Sequence, residues 1–198
     1  MNSESLPTEL ILASSSKYRK KLLKRFGLPF DCISPEVDES SAEDESPQQL
    51  VTRLATQKAA IVSEQFPQAI VIGSDQLAVF DGKVIGKPGH HQAAFEQLLS
   101  FSGQEVEFLT SVSVQAHEID FKELYTDRTR VCFHHLEPEQ VRRYLEKEKP
   151  FDCAGSFKAE SLGIVLFERI ITQDPTALIG LPLIQTAAML RRAGLRLP

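Results

Sequence analysis

The first readable pattern in the chain is a continuous apolar run, "LILA" at residues 10–13, with polar residues on either side. Its length and lack of helical spacing predict a buried strand over residues 8–13. From Ser16 to Phe26 the apolar positions Leu22, Leu23 and Phe26 share one face and Gly27 follows as a stop, which predicts an amphipathic helix. "FDCIS" reads as a short strand that leads into an acidic loop, "PEVDESSAEDESP". Ser46 and Pro47 then form the cap and first residue of a helix that carries Leu50, Leu54, Ala55, Ile61 and Val62 at helical spacing.

In the second half, "AIVIG" predicts a central strand ending near Gly73, and Asp81-Gly82 between two β-branched runs marks a hairpin. A helical segment over roughly 91–101 precedes "VEFLTSVSVQAHE" and "LYTDRTRVCFHHL", whose alternation of apolar and polar residues is that of neighbouring antiparallel strands. "PEQVRRYLEKEK" reads as a surface helix, "GIVLFERI" as another strand, and "PLIQTAAMLRRAG" as a closing helix that starts at proline and stops at glycine. These elements predict a mixed α/β fold, a twisted central sheet flanked by helices. A chain of 198 residues suits a single bilobed domain better than two independent enzyme-sized ones.

Composition narrows the function. No apolar run approaches the roughly 18 to 20 residues that a bilayer helix requires, so no membrane partner is expected. "MNSESLPTELILAS" lacks a basic stretch before its apolar part, so no secretory leader is expected and a cytoplasmic setting follows. The net charge of -5 argues against a nucleic-acid polymer and leaves room for a small anion in a local cationic pocket. Cys32, Cys132 and Cys153 are scattered and lack paired spacing, which predicts reduced, mostly buried thiols. The five histidines show no metal-ligand spacing.

The residue types that carry chemistry collect at element junctions. Ser14, Ser15 and Ser16 stand where a strand hands over to a helix, an arrangement that suits an anion, and Arg19 one turn on can fork onto a phosphate. The same pattern also reads as plain serine capping of a solvated basic helix. The acidic loop offers Glu36, Asp38 and Glu39, and "GSDQ" places Asp75 just past a strand end, where ligands gather in open α/β sheets. An acid among apolar strand residues is expensive unless it is paired or used. Lys58 and Lys87 are flanked by small or apolar residues and read locally either as phosphate contacts or as surface lysines.

In order along the chain, "LASSSKYRKKLL", "PEVDES", "LATQKA", "IGSDQ", "GKP", "CAGSFKAESLGI" and "DPTALIGLPL" resemble the Maf family of nucleoside triphosphate pyrophosphatases. The later blocks resemble the branch that acts on 7-methyl-GTP more than the branch that acts on dTTP and UTP. The resemblance implies a Maf/ITPase-like fold with a nucleotide cleft, and hydrolysis between the α and β phosphates with release of a nucleoside monophosphate and diphosphate. It implies phosphate contacts at Ser14, Ser16, Arg19, Lys58 and Lys87, a proton acceptor at Asp75, and base selection by Tyr18, Gln76 and Glu160. It also implies a divalent cation (Mg2+, Mn2+ or Co2+) at Glu39 and Asp75, and a homodimer. One position departs from the branch: Ser161 stands in "AESLG" where glycine is expected. A dTTP/UTP-type enzyme and a nucleotide-binding regulator of cell division remain as alternatives at this level.

Overall fold

The computed structural model describes residues 9–197. Thr8, at the start of the predicted first strand, and the stretch 1–8 read for a leader lie outside the described residues. Within them, strands β1 (Glu9–Leu12), β2 (Asp31–Cys32), β3 (Ala69–Phe80), β4 (Lys83–Ile85), β5 (Glu105–Ala116), β6 (Phe121–Phe133) and β7 (Phe167–Ile171) make a mixed sheet ordered β2-β1-β3-β5-β6-β7, with β4 paired to β3. Parallel pairing joins β1 to β2 and β3, whereas β4 on β3 and β7 on β6 are antiparallel. Five α-helices accompany them in the described residues: α1 (Lys17–Leu23), α2 (Pro47–Gln65), α3 (His91–Ser100), α4 (Pro138–Glu148) and α5 (Leu183–Arg192). No helix among the described residues is long and apolar enough to cross a membrane.

The chain divides into two compact units. The first comprises the chain up to Asp75, Thr110–Asp127 and the stretch from Asp174 onward; the second comprises Gln76–Leu109 and Arg128–Gln173. In the first, alternation along the parallel strands sends Leu10, Leu12, Ile70 and Ile72 to one face, against Leu22 and Leu23 of α1 and Met189 and Leu190 of α5. Ile11, Ala13, Val71 and Ala69 face the other way, against Ala59 and Val62 of α2. The second unit has a phenylalanine core in which Phe101, Phe133, Phe157 and Phe167 meet with ring centroids 4.7 to 5.7 Å apart. Most of these pairs are edge-on, the arrangement that aromatic quadrupoles favour.

Several boundaries differ from the sequence reading for identifiable reasons. The predicted helix over 16–26 is α-helical only to Leu23 and closes with a 3-10 turn, Lys24–Phe26, against Gly27 at φ 68. Strand β3 does not end near Gly73 but continues to Phe80. "GIVLFERI" is strand only from Phe167, because Leu162–Leu166 form a 3-10 turn. Only Cys132 of the three thiols is buried; Cys32 is exposed because β2 is the outermost strand and shows both of its residues to solvent. Ser46 caps α2 as expected: its Oγ accepts from the Gln49 N–H at 3.3 Å and the Gln49 Oε1 accepts from the Ser46 N–H at 2.9 Å.

Candidate active site

The site begins with a glycine that lets a helix touch a strand. A Cβ on Gly73 would stand 2.4 Å from the Ala55 carbonyl oxygen and 2.5 Å from the Ala59 nitrogen, so α2 lies directly on the β3 backbone. Asp75, two residues on, points to the same face, and Lys58 precedes Ala59 on α2. The Lys58 Nζ donates to Asp75 Oδ1 at 2.8 Å and to Glu39 Oε1 at 2.5 Å. Lys58 and Asp75 are buried, at 8% and 7% exposure, so either charge without its partner would carry a large desolvation cost. Asp75 thus sits inside a continuous strand rather than past its end, held by a helix lysine.

Glu39 reaches this pair because Arg53 folds the acidic loop onto α2. The Arg53 Nε and one terminal nitrogen grip both oxygens of Glu45 at 2.7 and 2.8 Å, and the same terminal nitrogen donates to the Ser40 carbonyl at 2.8 Å. That bidentate grip holds the Glu45 pKa down at about 2. Arg53 was not among the residues picked out from the sequence. Its only signal there is an arginine on an amphipathic helix that follows a dense acidic loop.

The serine and arginine block lies in the same unit. Ser16 is the N-cap of α1 and accepts from the Arg19 N–H at 3.4 Å. The Ser14 Oγ accepts from the Ser16 N–H at 3.2 Å and from an Arg19 terminal nitrogen at 3.3 Å, while Ser15 is exposed. The Arg19 Nε donates to the Gly180 carbonyl at 2.9 Å, and the buried Ser74 hydroxyl donates to the same oxygen at 3.1 Å. Gly180 has φ 125, a conformation that side chains resist, so glycine is what aims that carbonyl. Its loop is tied by Asp174, which accepts from the Thr176 N–H and from the Ile184 N–H, and by the Thr176 hydroxyl, which donates to the Leu181 carbonyl. Burial lowers the Arg19 pKa, and the negative charges of Asp75 and then Glu39 work against that shift.

The three serines and the cations beside them therefore have different uses. One serine caps the helix, one props the arginine, and one faces solvent. Tyr18, next to them, is partly buried, with the Lys17 Nζ 5.1 Å from its ring centroid. Gln76, Lys87 and Glu160 belong to the second unit, where Lys87 and Glu160 are exposed. Gln76 follows Asp75 along β3 and so faces the opposite side of the strand.

Two carboxylates thus converge on one buried cation, with a propped guanidinium and serine hydroxyls in the same unit of an α/β sheet. The sequence profile described as "Maf-like protein" matches residues 9–193, and the chain belongs to the Maf family. It is 51% identical over 189 residues to the 7-methyl-GTP pyrophosphatase of Xanthomonas axonopodis pv. citri, covering 96% of this chain and 98% of that one. It is 46% identical over 194 residues to the 7-methyl-GTP pyrophosphatase of Albidiferax ferrireducens, covering 98% of each. Among solved structures, the Staphylococcus aureus Ham1 protein matches 65% of this chain and 73% of its own, with a TM-score of 0.47 and 14% identity.

Proposed function

We propose that the protein is a nucleoside triphosphate pyrophosphatase that hydrolyses 7-methyl-GTP to 7-methyl-GMP and diphosphate, the substrate for which its relatives at about half identity are named. The observation that carries this reading is the triad Glu39–Lys58–Asp75 in the same unit as the Ser14–Arg19 pair. Phosphate oxygens take the hydroxyls of Ser14 and Ser16, the guanidinium of Arg19 and the ammonium groups of Lys58 and Lys87. The Ser14 oxygen already accepts from Arg19 and from the Ser16 N–H, so its O–H is oriented to donate.

The donor set fits a hard divalent cation. Glu39 and Asp75 already aim one carboxylate oxygen each at a common positive centre, and oxygen ligands suit Mg2+ or Mn2+. No group of three or more His, Cys, Asp or Glu side chains among the described residues is arranged to hold a metal. Glu39 and Asp75 would be the side chains that hold such an ion. When bound, the cation supplies Lewis-acid polarisation of the α-phosphate. Asp75 orients the attacking water and takes its proton as the oxygen bonds to the α-phosphorus. The bond to the bridging oxygen breaks, diphosphate leaves, and Arg19 with the two lysines offsets the charge that builds on it.

Base selection falls to Tyr18, Gln76 and Glu160. A guanine methylated at N7 is cationic, so it favours an aromatic face with a carboxylate nearby. The Lys17 ammonium 5.1 Å from the Tyr18 ring centroid is consistent with a ring face that attracts cations. A carboxylate also accepts from the N1–H and the exocyclic amine of guanine, which pyrimidines do not match. The test is a panel of nucleoside triphosphates assayed for diphosphate release with Mg2+, Mn2+ and Co2+, alongside Asp75→Asn. Wild type should favour 7-methyl-GTP, and Asp75→Asn should lose about two orders of magnitude in turnover. A preference for dTTP or UTP, or near-normal turnover in Asp75→Asn, contradicts the proposal.

A further inference from the structure

In the second unit, helix α4 ends in a carboxylate with three side-chain and backbone donors on it. The Glu148 Oε2 accepts from the Ser161 hydroxyl at 2.8 Å and from the Leu162 N–H at 3.0 Å, and its Oε1 accepts from the Lys158 Nζ at 3.1 Å. Lys158 also donates from Nζ to the Glu148 carbonyl at 2.9 Å. One turn earlier on α4, the Tyr144 hydroxyl accepts from the Lys158 N–H at 3.2 Å. The Glu148 side chain is only 11% exposed, so this is a built anchor rather than a surface ion pair.

These contacts enclose two residues. The Lys158 carbonyl accepts from the Ser161 N–H at 3.2 Å and from the Gly163 N–H at 3.1 Å, closing a tight turn over Ala159 and Glu160. A Cβ on Gly163 would lie 2.5 Å from that carbonyl oxygen, so only glycine lets the turn close. The turn is pinned to α4 at Lys158 on one side and at Ser161 and Leu162 on the other. Glu160 is left exposed at its apex while its neighbours are fixed. Ser161, the position that departs from the glycine expected in this branch, supplies one of the pins.

We infer that Glu148 is a positioning residue for substrate choice: it fixes the turn that presents Glu160, and Ser161 strengthens that hold in this chain. The inference rests on the proposed reading in which Glu160 recognises guanine. Glu148 touches no substrate; it acts by removing the freedom of the turn, so that Glu160 meets the base already oriented. A merely structural role would lower all substrates together, whereas a positioning role weakens the one substrate that Glu160 reads.

The experiment measures kcat and KM for 7-methyl-GTP and for UTP in the full-length wild type, Glu148→Gln, Ser161→Ala and Glu160→Gln, with circular dichroism to confirm folding. Glu148→Gln keeps the side chain's shape but replaces one accepting oxygen with a donor, which breaks either the Ser161–Leu162 pair of bonds or the Lys158 bond. It should cut the 7-methyl-GTP to UTP ratio of kcat/KM by about tenfold, mostly through KM for 7-methyl-GTP. Ser161→Ala, which removes a single pin and tolerates folding more readily, should lower the ratio in the same direction by about threefold. If Glu160→Gln collapses the ratio while Glu148→Gln and Ser161→Ala leave it at the wild-type value, or lower both substrates equally, the positioning role is overturned and the base-reading role stands. If Glu160→Gln leaves the ratio unchanged, the reading of Glu160 itself fails and the inference falls with it.

Discussion

Replacing Lys58 by methionine tests the triad most sharply, because methionine keeps the length and apolar stem of lysine and removes only the charge. In the folded protein the lysine Nζ lies 2.8 Å from Asp75 and 2.5 Å from Glu39, with the Lys58 and Asp75 side chains 10% and 11% exposed and Glu39 at 65%. At an effective dielectric near 20, a pair about 2.8 Å apart attracts by roughly 6 kcal/mol, much of which repays the desolvation of both ions. Deleting one partner of such a buried pair costs about 3 to 5 kcal/mol, because the survivor is left charged and dry. Glu39, mostly in solvent, adds about 1 kcal/mol or less. Lys58→Met should therefore lose about 3 kcal/mol at neutral pH, a large share of the roughly 5 to 15 kcal/mol that holds a typical domain. The assay is urea unfolding followed by circular dichroism for wild type, Lys58→Met, Asp75→Asn and the double variant. The double variant should be more stable than the sum of the single losses by about 2 kcal/mol, since removing both charges leaves neither stranded. Wild-type stability in Lys58→Met, or strictly additive losses, would mean that Lys58 and Asp75 do not depend on one another.

Two further outcomes follow from the same geometry. Gly73→Ala drives a methyl group into the Ala55 carbonyl and the Ala59 nitrogen, backbone atoms that cannot step aside, so stability should fall by about 1 to 3 kcal/mol and turnover should drop as Lys58 is pushed from Asp75; an unchanged unfolding midpoint with full turnover would contradict the close approach. For Glu148, burial raises the carboxyl pKa, but the bonds from Ser161, Lys158 and Leu162 outweigh it and leave it below its ordinary value of 4.5. Its contribution is therefore present above pH 4.5 and lost as pH falls through the lowered folded value. The melting-temperature gap between wild type and Glu148→Gln should be widest above that range and close toward acid; a gap that stays constant to low pH would contradict it.

What could be read from the chain was what depends on neighbours in sequence. The α2 cap is legible because Ser46, Pro47 and Gln49 act on one another within four residues. The burial of β1 is legible from the continuous apolar run at residues 10–13 alone. β3 shows where this stops: Gly73 reads as a terminator by local rules, yet its reason is the contact with α2, which local pattern cannot display. "GIVLFERI" has the composition of a strand, but its first residues are drawn into the turn closed on Lys158, so extension begins only at Phe167. The triad's members were named from the chain, and the resemblance brought Glu39 and Asp75 together at a metal, but the ion pairs of both with Lys58 were not anticipated. Lys58 and Glu39 are 19 residues apart, Lys58 and Asp75 are 17 apart, and Arg19 meets the Gly180 carbonyl across 161. Arg53 and Glu148 went unnoticed for the same reason, since each looks like an ordinary charge on a helix until the loop it restrains is in place.

Cleavage between the α and β phosphates would be seen directly by phosphorus NMR of the products made from 7-methyl-GTP by the wild-type protein. The spectra should show equal amounts of diphosphate and 7-methyl-GMP, with no orthophosphate, and loss of both signals with Asp75→Asn. Release of orthophosphate with 7-methyl-GDP, or the same products at the same rate from Asp75→Asn, would contradict it.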